Sequence, residues 1–511
     1  MKKFALLAVV IFALLSPLFA YSYKINKVTY DIKGMTKAYA VDRSVKVDKE
    51  TIFPDEESFA TYIKDYKQRL ENTRMFDEVI VEYTTTPSDE VEGLYLADIT
   101  ATLDDSFHFI GAPYPKYNSN SGFEFKLKLK DTNFFGTMQT MGSDINFSLK
   151  VDDDDKSMKR LIGDMGLTVG FNFIFDFPFK LFLLDATWTN DYAISYTVGH
   201  SSPEWTAATG LNFFVPLGTL TRLNFSFTQK FTRNFDYKKY GDDIYFTELA
   251  TMSLPVTIHK FENWGDVTYT PYVSGTYYWD FNGINKSNSD LTGPRFTIGQ
   301  TISTARIDWK NNFRTGVSIS TTQSFTYNIQ KEELAPKFSA ELKAFKGFKY
   351  AGFYSDIYFF IGANTTENIG SRLRGIRDSQ YFSSSSGHSG SKACDTTGAF
   401  VVNLDLPIHI FSTHFKKNRI LRKLNFEVQL SPFIDFALHN NKATGTTFSI
   451  KDGFYAAGME VVLHLESWKS IQVRGSFGVD VGRMLLKKWL NTNWRDTVSK
   501  YELSFGIGLH Y

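Results

Sequence analysis

A chain of 511 residues with 56 basic and 55 acidic side chains carries a formal net charge of +1, so nothing in its overall charge draws it to nucleic acid. Aromatic residues make up 16%, including 48 Phe and 27 Tyr, yet hydrophobic content is only 43%, too polar for a bundle of membrane helices. The single cysteine, Cys394, excludes an internal disulfide.

From the start of the chain, Lys2-Lys3, the apolar run Phe4 to Leu15 and then Ser16-Pro17-Leu18-Phe19-Ala20 read as a signal peptide over residues 1–20, with cleavage expected after Ala20. The run is too short to span a bilayer, and no cysteine near it offers a lipoprotein anchor.

Residues 23–105 read as a small α+β module. Tyr23 to Ile32 alternates, with Val28, Tyr30 and Ile32 on one face, and Gly34 ends it. Between Met35 and Phe53, Val41, Val45 and Val47 read more like strand than helix, so a helix there is expected to be short or absent. Pro54-Asp55-Glu56-Glu57 supplies the proline and acids of a first helical turn. Phe59, Ile63, Tyr66 and Leu70 then recur at helical spacing, backed by Lys64, Lys67 and Arg69. Two strands follow Asn72-Thr73-Arg74-Met75-Phe76, at Val79 to Tyr83 and Tyr95 to Leu103. The expected core is Phe59, Ile63, Tyr66, Leu70, Phe76 and Val79, and the order of elements leaves a sheet edge exposed.

From residue 107 to 511 no amphipathic helix is legible, and alternating segments follow one another. In Phe123 to Lys130 the odd positions are Phe, Phe, Leu, Leu and the even ones Glu, Lys, Lys, Lys. Val267 to Trp279 and Leu424 to Leu438 repeat the pattern, the latter with Asp435 on its polar face. Short connectors are expected at Asp176-Phe177-Pro178-Phe179, Pro216-Leu217-Gly218 and Lys310-Asn311. Long ones are expected at Asp152 to Lys159, Asn190 to Glu204, Asp280 to Gly293, Asn364 to Thr396 and Asn440 to Asp452. Many aromatics, period-2 segments and alternately short and long connectors predict a mainly β fold, an antiparallel transmembrane barrel of about 16 strands, up to about 18 if weak segments are split.

Within that region Gly370-Ser371-Arg372-Leu373-Arg374-Gly375-Ile376-Arg377 opens a polar, Ser/Gly-rich loop. Thr397 to Ile410 follows, with Phe400, Val402, Leu404 and Leu406 opposite Val401, Asn403 and Asp405. Strand parity turns Asp405 and Asp435 toward the lumen, where a guanidinium would find a carboxylate partner. For a loop that folds inward, parity puts Arg374 on Asp435, with Asp405 the second candidate, and Gly375 frees the tip to turn. Arg372 and Arg377 are expected to matter much less. The last residues alternate again, Tyr501, Leu503, Phe505, Ile507, Leu509 and Tyr511 against Glu502, Ser504, Gly506, Gly508 and His510.

No enzyme constellation emerges: there is no His-Glu-x-x-His, phosphate-binding glycine loop or cysteine metal spacing, and Gly387-His388-Ser389-Gly390 lacks the context of a nucleophile elbow. Asp152 to Asp155 reads as a solvated acidic loop and His409 and His510 as polar lining.

Several of these stretches resemble one family. Leu70 to Val79 is similar to the end of the second helix and following strand of POTRA domains. Asp131-Thr132-Asn133-Phe134-Phe135-Gly136-Thr137 resembles the turn near the barrel start in Omp85 proteins of the TamA and BamA type. Leu373-Arg374-Gly375-Ile376 resembles the Val-Arg-Gly-aromatic tip of that family's inward loop, with Ile376 in place of the aromatic. Gly398 to Pro407, Phe433 to Phe436, Tyr455 to Leu465 and Ile471 to Asp480 resemble the strands after it. Ser504, Gly506, Leu509 and Tyr511 resemble the C-terminal signal of outer-membrane barrels. The resemblance implies an outer-membrane protein with its N-terminal module in the periplasm. It would insert or translocate unfolded outer-membrane or secreted clients, with periplasmic or lipoprotein partners, no cofactor and no enzymatic activity. The alternative is a passive pore or surface antigen without assembly activity.

Overall fold

The structure, a computed structural model, describes residues 21–118, 122–149, 167–182, 184–198, 203–217, 221–233, 244–261, 264–279, 293–376, 378, 380–381, 391–415, 425–467, 469, 472–491 and 500–507. The expected signal peptide, the acidic run 152–155, Arg377, the loop tip 387–390, Leu509, His510 and Tyr511 lie outside the described residues. The chain divides into two compact units, one running to Phe107 and including Phe135–Met138, the other comprising His108–Phe134 and Gln139 onward.

The first unit runs β1 (Ser22–Lys33), α1 (Ala38–Ser44), β2 (Ile52–Phe53), α2 (Glu56–Asn72), β3 (Phe76–Pro87) and β4 (Leu94–Asp105). Its sheet has the order β2-β1-β4-β3, with β1 parallel to β4 and the other pairs antiparallel. Helix α2 begins at Glu56 because the Asp55 carboxylate accepts the Ser58 N–H at 2.7 Å, which leaves Pro54 outside the first turn. Phe59, Ile63, Tyr66 and Leu70 point from α2 into one cluster with Phe76, Val79, Ile99 and Leu103, and all are buried. Burial of each such apolar side chain contributes about 1.5–3 kcal/mol.

Of the two outcomes expected between Met35 and Phe53, a short helix or none, the structure has the short helix, although its valines read locally as strand. Ala38–Ser44 is a helix, and Val41 sits at 0% exposure in the same core. A valine costs a helix less than about 1 kcal/mol, and burying its side chain outweighs that. Val45 ends the helix, its N–H donating to the Val41 carbonyl at 2.8 Å. Among the described residues β3 has a free outer edge, and β2 covers β1 only at Tyr23 and Lys24.

The second unit is a closed antiparallel barrel. Its wall begins with β5 (Phe109–Asn118), β6 (Gly122–Asp131), β7 (Met141–Leu149), β8 (Leu167–Leu181), β9 (Leu184–Thr197), β10 (Glu204–Leu217) and β11 (Thr221–Arg233). It continues with β12 (Ile244–Ser253), β13 (Val256–Phe261), β14 (Gly265–Trp279), β15 (Arg295–Lys310), β16 (Phe313–Asn328), β17 (Glu333–Gly347) and β18 (Gly352–Gly362). A long connector holds the two-residue strands β19 (Glu367–Asn368), β20 (Gln380–Tyr381), β21 (Ser391–Lys392) and β22 (Asp395–Thr396), which pair β19 with β22 and β20 with β21. The wall then resumes with β23 (Gly398–Asp405), β24 (Ile408–Ser412), β25 (Phe426–Asn440), β26 (Phe454–Leu465) and β27 (Gln472–Asp480). After the short helix α3 (Val481–Leu485), β28 (Tyr501–Ile507) closes against β5.

Among the described residues twenty segments form the wall, but β12 and β13 both pair with β14, and β23 and β24 both pair with β25. Each pair is one strand broken at a proline, Pro255 or Pro407, which cannot donate to the ladder. Counted so, the barrel has eighteen strands, the upper end of the sequence expectation.

Other boundaries differ from the sequence reading. Asp176 to Phe179 lies inside β8, with Pro178 opposite Thr187, and Asn190 to Thr197 belongs to β9, paired with β8 throughout and with β10 as far as Ser195. In both places the outward-facing aromatics continue the alternation past residues that locally favour a turn. The turn after Lys310 is Asn311-Asn312, with φ of 50° and 62°, the left-handed pair that a two-residue hairpin needs. Helix α3 had no sequence counterpart; at five residues it is too short to show a period. Among the described residues no helix is long and apolar enough to cross a membrane. Outward positions instead carry exposed apolar side chains such as Ile298, Ile434, Met459 and Phe505.

Candidate functional site

The lumen is occupied by the connector that leaves β18. Residues Gly370–Arg372 make one 3-10 turn, and the chain then runs through Leu373 to Ile376 deep inside the wall. Leu373 and Ile376 are 2% and 1% exposed and pack with Tyr358, Phe360, Val401, Ala437 and Phe454, which are the inward residues of four strands. Apolar anchorage on both sides thus fixes the position of the two residues between them.

Arg374 is the first of these. Its backbone N–H and Nε donate to Asp435 Oδ2 at 2.7 and 3.0 Å, and Nη2 donates to Asp435 Oδ1 at 2.7 Å. Nη1 and Nη2 donate to the two Asp405 oxygens at 2.8 and 3.2 Å. The guanidinium lies over the Phe433 ring at 3.7 Å. Asp405 and Asp435 face inward because β23 and β25 pair Asn403 with Asp435 and Asp405 with Phe433, so all four share the lumen face. Arg374, Asp405 and Asp435 are 4%, 6% and 0% exposed. Burial alone would push the guanidinium's pKa down; the charge and hydrogen bonds of Asp435 and then Asp405 more than reverse this and hold it above its ordinary value.

Gly375 follows, with φ of +80° and its N–H donating to Glu502 Oε2 on β28 at 2.9 Å. A Cβ here would come within 2.6 Å of the Val479 nitrogen and 2.7 Å of the Gly478 carbonyl carbon. Gly478 and its ladder partner Gly458 leave the wall of β26 and β27 bare at this point. The loop tip therefore lies directly on backbone, one strand from the place where the barrel closes.

Arg372 is more deeply engaged than the sequence predicts. Its Nη1 donates to Glu341 Oε1 at 2.7 Å, its guanidinium lies 3.6 Å over the Tyr358 ring, and its carbonyl accepts from Asn403 Nδ2 at 2.7 Å. Glu341, Asp356, Asp405, Asp435, Glu460 and Glu502 are inward acids on β17, β18, β23, β25, β26 and β28. From elsewhere on the wall, Asn312 in the β15–β16 turn donates to Glu427 Oε2 on β25 at 2.9 Å.

Of the terminal motif, Ser504 faces inward with its hydroxyl 2.7 Å from that of Ser476, and Gly506 pairs with Arg474. At the start of the barrel, the Asp131 carboxylate accepts the Asn133 N–H at 2.8 Å and lies 2.7 Å from His108 Nδ1, which closes the Asp-x-Asn turn. The six expected core residues of the first unit share one cluster there. Sequence reasoning missed Phe433 beneath Arg374, the Gly458–Gly478 notch and Glu502. Inward parity was the available signal, since all four occupy lumen positions of their strands. Among the described residues no His, Cys, Asp or Glu group is placed to hold a metal ion.

No protein-family model matches the chain, and no curated protein matches it in sequence. Among solved structures it is similar to CdiB from Acinetobacter baumannii, with a TM-score of 0.47 and 11% identity over 95% of this chain and 73% of the other. CdiB from Escherichia coli gives a TM-score of 0.47 and 10% identity over 95% and 76%. BamA from Haemophilus ducreyi lacking POTRA domains 1–3 gives 0.39 and 12% over 95% and 85%.

Proposed function

We propose that this chain is an outer-membrane protein of the Omp85 type that inserts or translocates other β-rich proteins, its N-terminal module facing the periplasm and receiving the clients. The observation that carries this reading is the loop tip: Arg374 held by Asp435 and Asp405, with Gly375 lying on β27 and bonded to β28. Such a loop ties the interior of the barrel to its last strand, and the pairing of that strand with β5 is where a client strand would have to enter. The eighteen-strand wall with apolar outward positions supports residence in a bilayer. The first unit supports client capture, because the free edge of β3 offers unpaired backbone groups to an extended segment. Burying apolar strands in lipid is itself favourable, so the reaction needs no nucleotide.

The test places a photo-cross-linking residue at Thr84 on the edge strand β3 in cells. Adducts to nascent outer-membrane proteins, together with loss of particular barrels from the outer-membrane proteome on depletion, are expected. A conductance change alone, with no adduct and an unaltered proteome, would leave the passive pore as the correct reading.

A further inference from the structure

The segment that follows β27 is not used by the site above. Helix α3 is capped by Asp480, whose carboxylate accepts the Arg483 N–H at 3.0 Å. The coil continues through bonds from Leu486 to Gly482, Trp489 to Leu486 and Leu490 to Leu486. The Asn491 N–H then donates to the Lys451 carbonyl at 2.9 Å, which ties the segment to the connector after β25.

Its position is set by Tyr455. On β26 this residue pairs with Phe436, and both lie on the parity opposite to the inward Asp435 and Phe454. They therefore face outward. The Tyr455 ring is 5.3 Å from Phe436 and 6.3 Å from Trp489, and a Cβ on Gly482 would lie 3.4 Å from it. Phe400 extends the same row at 6.5 Å from Phe436. Residues 481–491 thus fold back over the outer face of the wall rather than over its mouth.

What they present there is not surface suited to water. Met484, Leu485 and Trp489 are 54%, 77% and 41% exposed, and Lys487 and Lys488 beside them are exposed too. The patch is continuous with the outward row of Tyr455, Phe436 and Phe400 on the wall, which Trp489 joins through the Tyr455 ring. A protein partner would have no need of that continuity, whereas a lipid surface that already covers the strands would extend over it. Two adjacent lysines at its border complement anionic head groups, and a tryptophan ring is favoured at that depth.

We propose that residues 481–491 form an interfacial anchor in which Met484, Leu485 and Trp489 enter the lipid beside the wall while Lys487 and Lys488 bind the phosphates of the head-group layer. The inference rests on the barrel's residence in a bilayer. It adds a lipid contact at the turn between the last two strands, so the anchor would restrain β27 and β28 next to the closing seam.

The full chain reconstituted in vesicles tests it. Cys394 is buried, so a new surface cysteine is the one that a nitroxide label reaches. Labels at Leu485→Cys, Ile434→Cys on the outward strand face and Lys442→Cys in the β25–β26 connector are compared in phosphatidylcholine vesicles with and without phosphatidic acid. Leu485 is expected to resemble Ile434, with accessibility to a water-soluble nickel chelate about tenfold below that at Lys442. Phosphatidic acid should deepen it, and Lys487→Glu with Lys488→Glu should abolish that deepening while Ile434 is unchanged. A Leu485 label as accessible as Lys442, with Ile434 immersed, overturns the anchor and leaves the barrel reading intact. An accessible Ile434 label overturns both, and immersion indifferent to phosphatidic acid overturns the role given to the lysines.

Discussion

At the scale of single residues, the Arg374 cluster separates what charge does from what shape does. Removing a buried guanidinium leaves two carboxylates facing each other without compensation, so Arg374→Ala should destabilise the barrel by about 3–5 kcal/mol. Arg374→Lys should recover only part of this, because an ammonium cannot bridge both carboxylates bidentately. Denaturant unfolding of the folded barrel in detergent measures the difference, and wild-type stability of the alanine variant would remove the site's structural role. Arg372→Ala should cost less, about 1–2 kcal/mol, since its ion pair is partly solvated although its ring contact with Tyr358 is close. Gly375→Ala tests shape with charge unchanged. The new Cβ meets backbone of Val479 and Gly478, and the left-handed φ adds about 1–2 kcal/mol of strain, so the loop should lift from β27 and the Glu502 bond should be lost. An alanine variant as stable as the parent would show that the tip does not lie on the wall.

Elements respond as units, and α2 gives a pH-dependent case. Hydrogen bonding from the Ser58 backbone holds the Asp55 carboxyl below its ordinary value. A carboxylate whose pKa is depressed in the folded state stabilises fully above the unfolded value, about 3.9, and that stabilisation is lost as pH falls through the lower folded value. Hydrogen-exchange protection of the first turn of α2, read in the full chain, should therefore fall below about pH 4, and Asp55→Ala should be weakly protected at every pH. Equal pH profiles for the two chains would count against the cap. The first helix carries the opposite lesson. Its valines speak for strand locally, yet a core position for Val41 decides the conformation.

For the whole molecule, a closed eighteen-strand wall has no edge from which to unravel, so unheated samples should migrate faster than boiled ones on gels, and identical migration would contradict closure. The β class and the inward facing of Asp405 and Asp435 are legible in the sequence, because both follow from a two-residue period that each segment carries locally. The inward course of the loop that brings Arg374 to Asp435, 61 positions away, rests on the likeness of Leu373 to Ile376 to a known loop tip and not on that period. The fold of residues 176–179 and 190–197 escaped it because turn-favouring residues can be held in a ladder once a neighbour supplies the hydrogen bonds. Two contacts have no local signal: Gly375 lies on Gly478 and bonds to Glu502, 127 residues away, and residues 481–491 turn outward over Tyr455. Parity says which face a side chain takes, but not which strands curve round to meet across the lumen. That depends on closure of the barrel, which no local segment encodes.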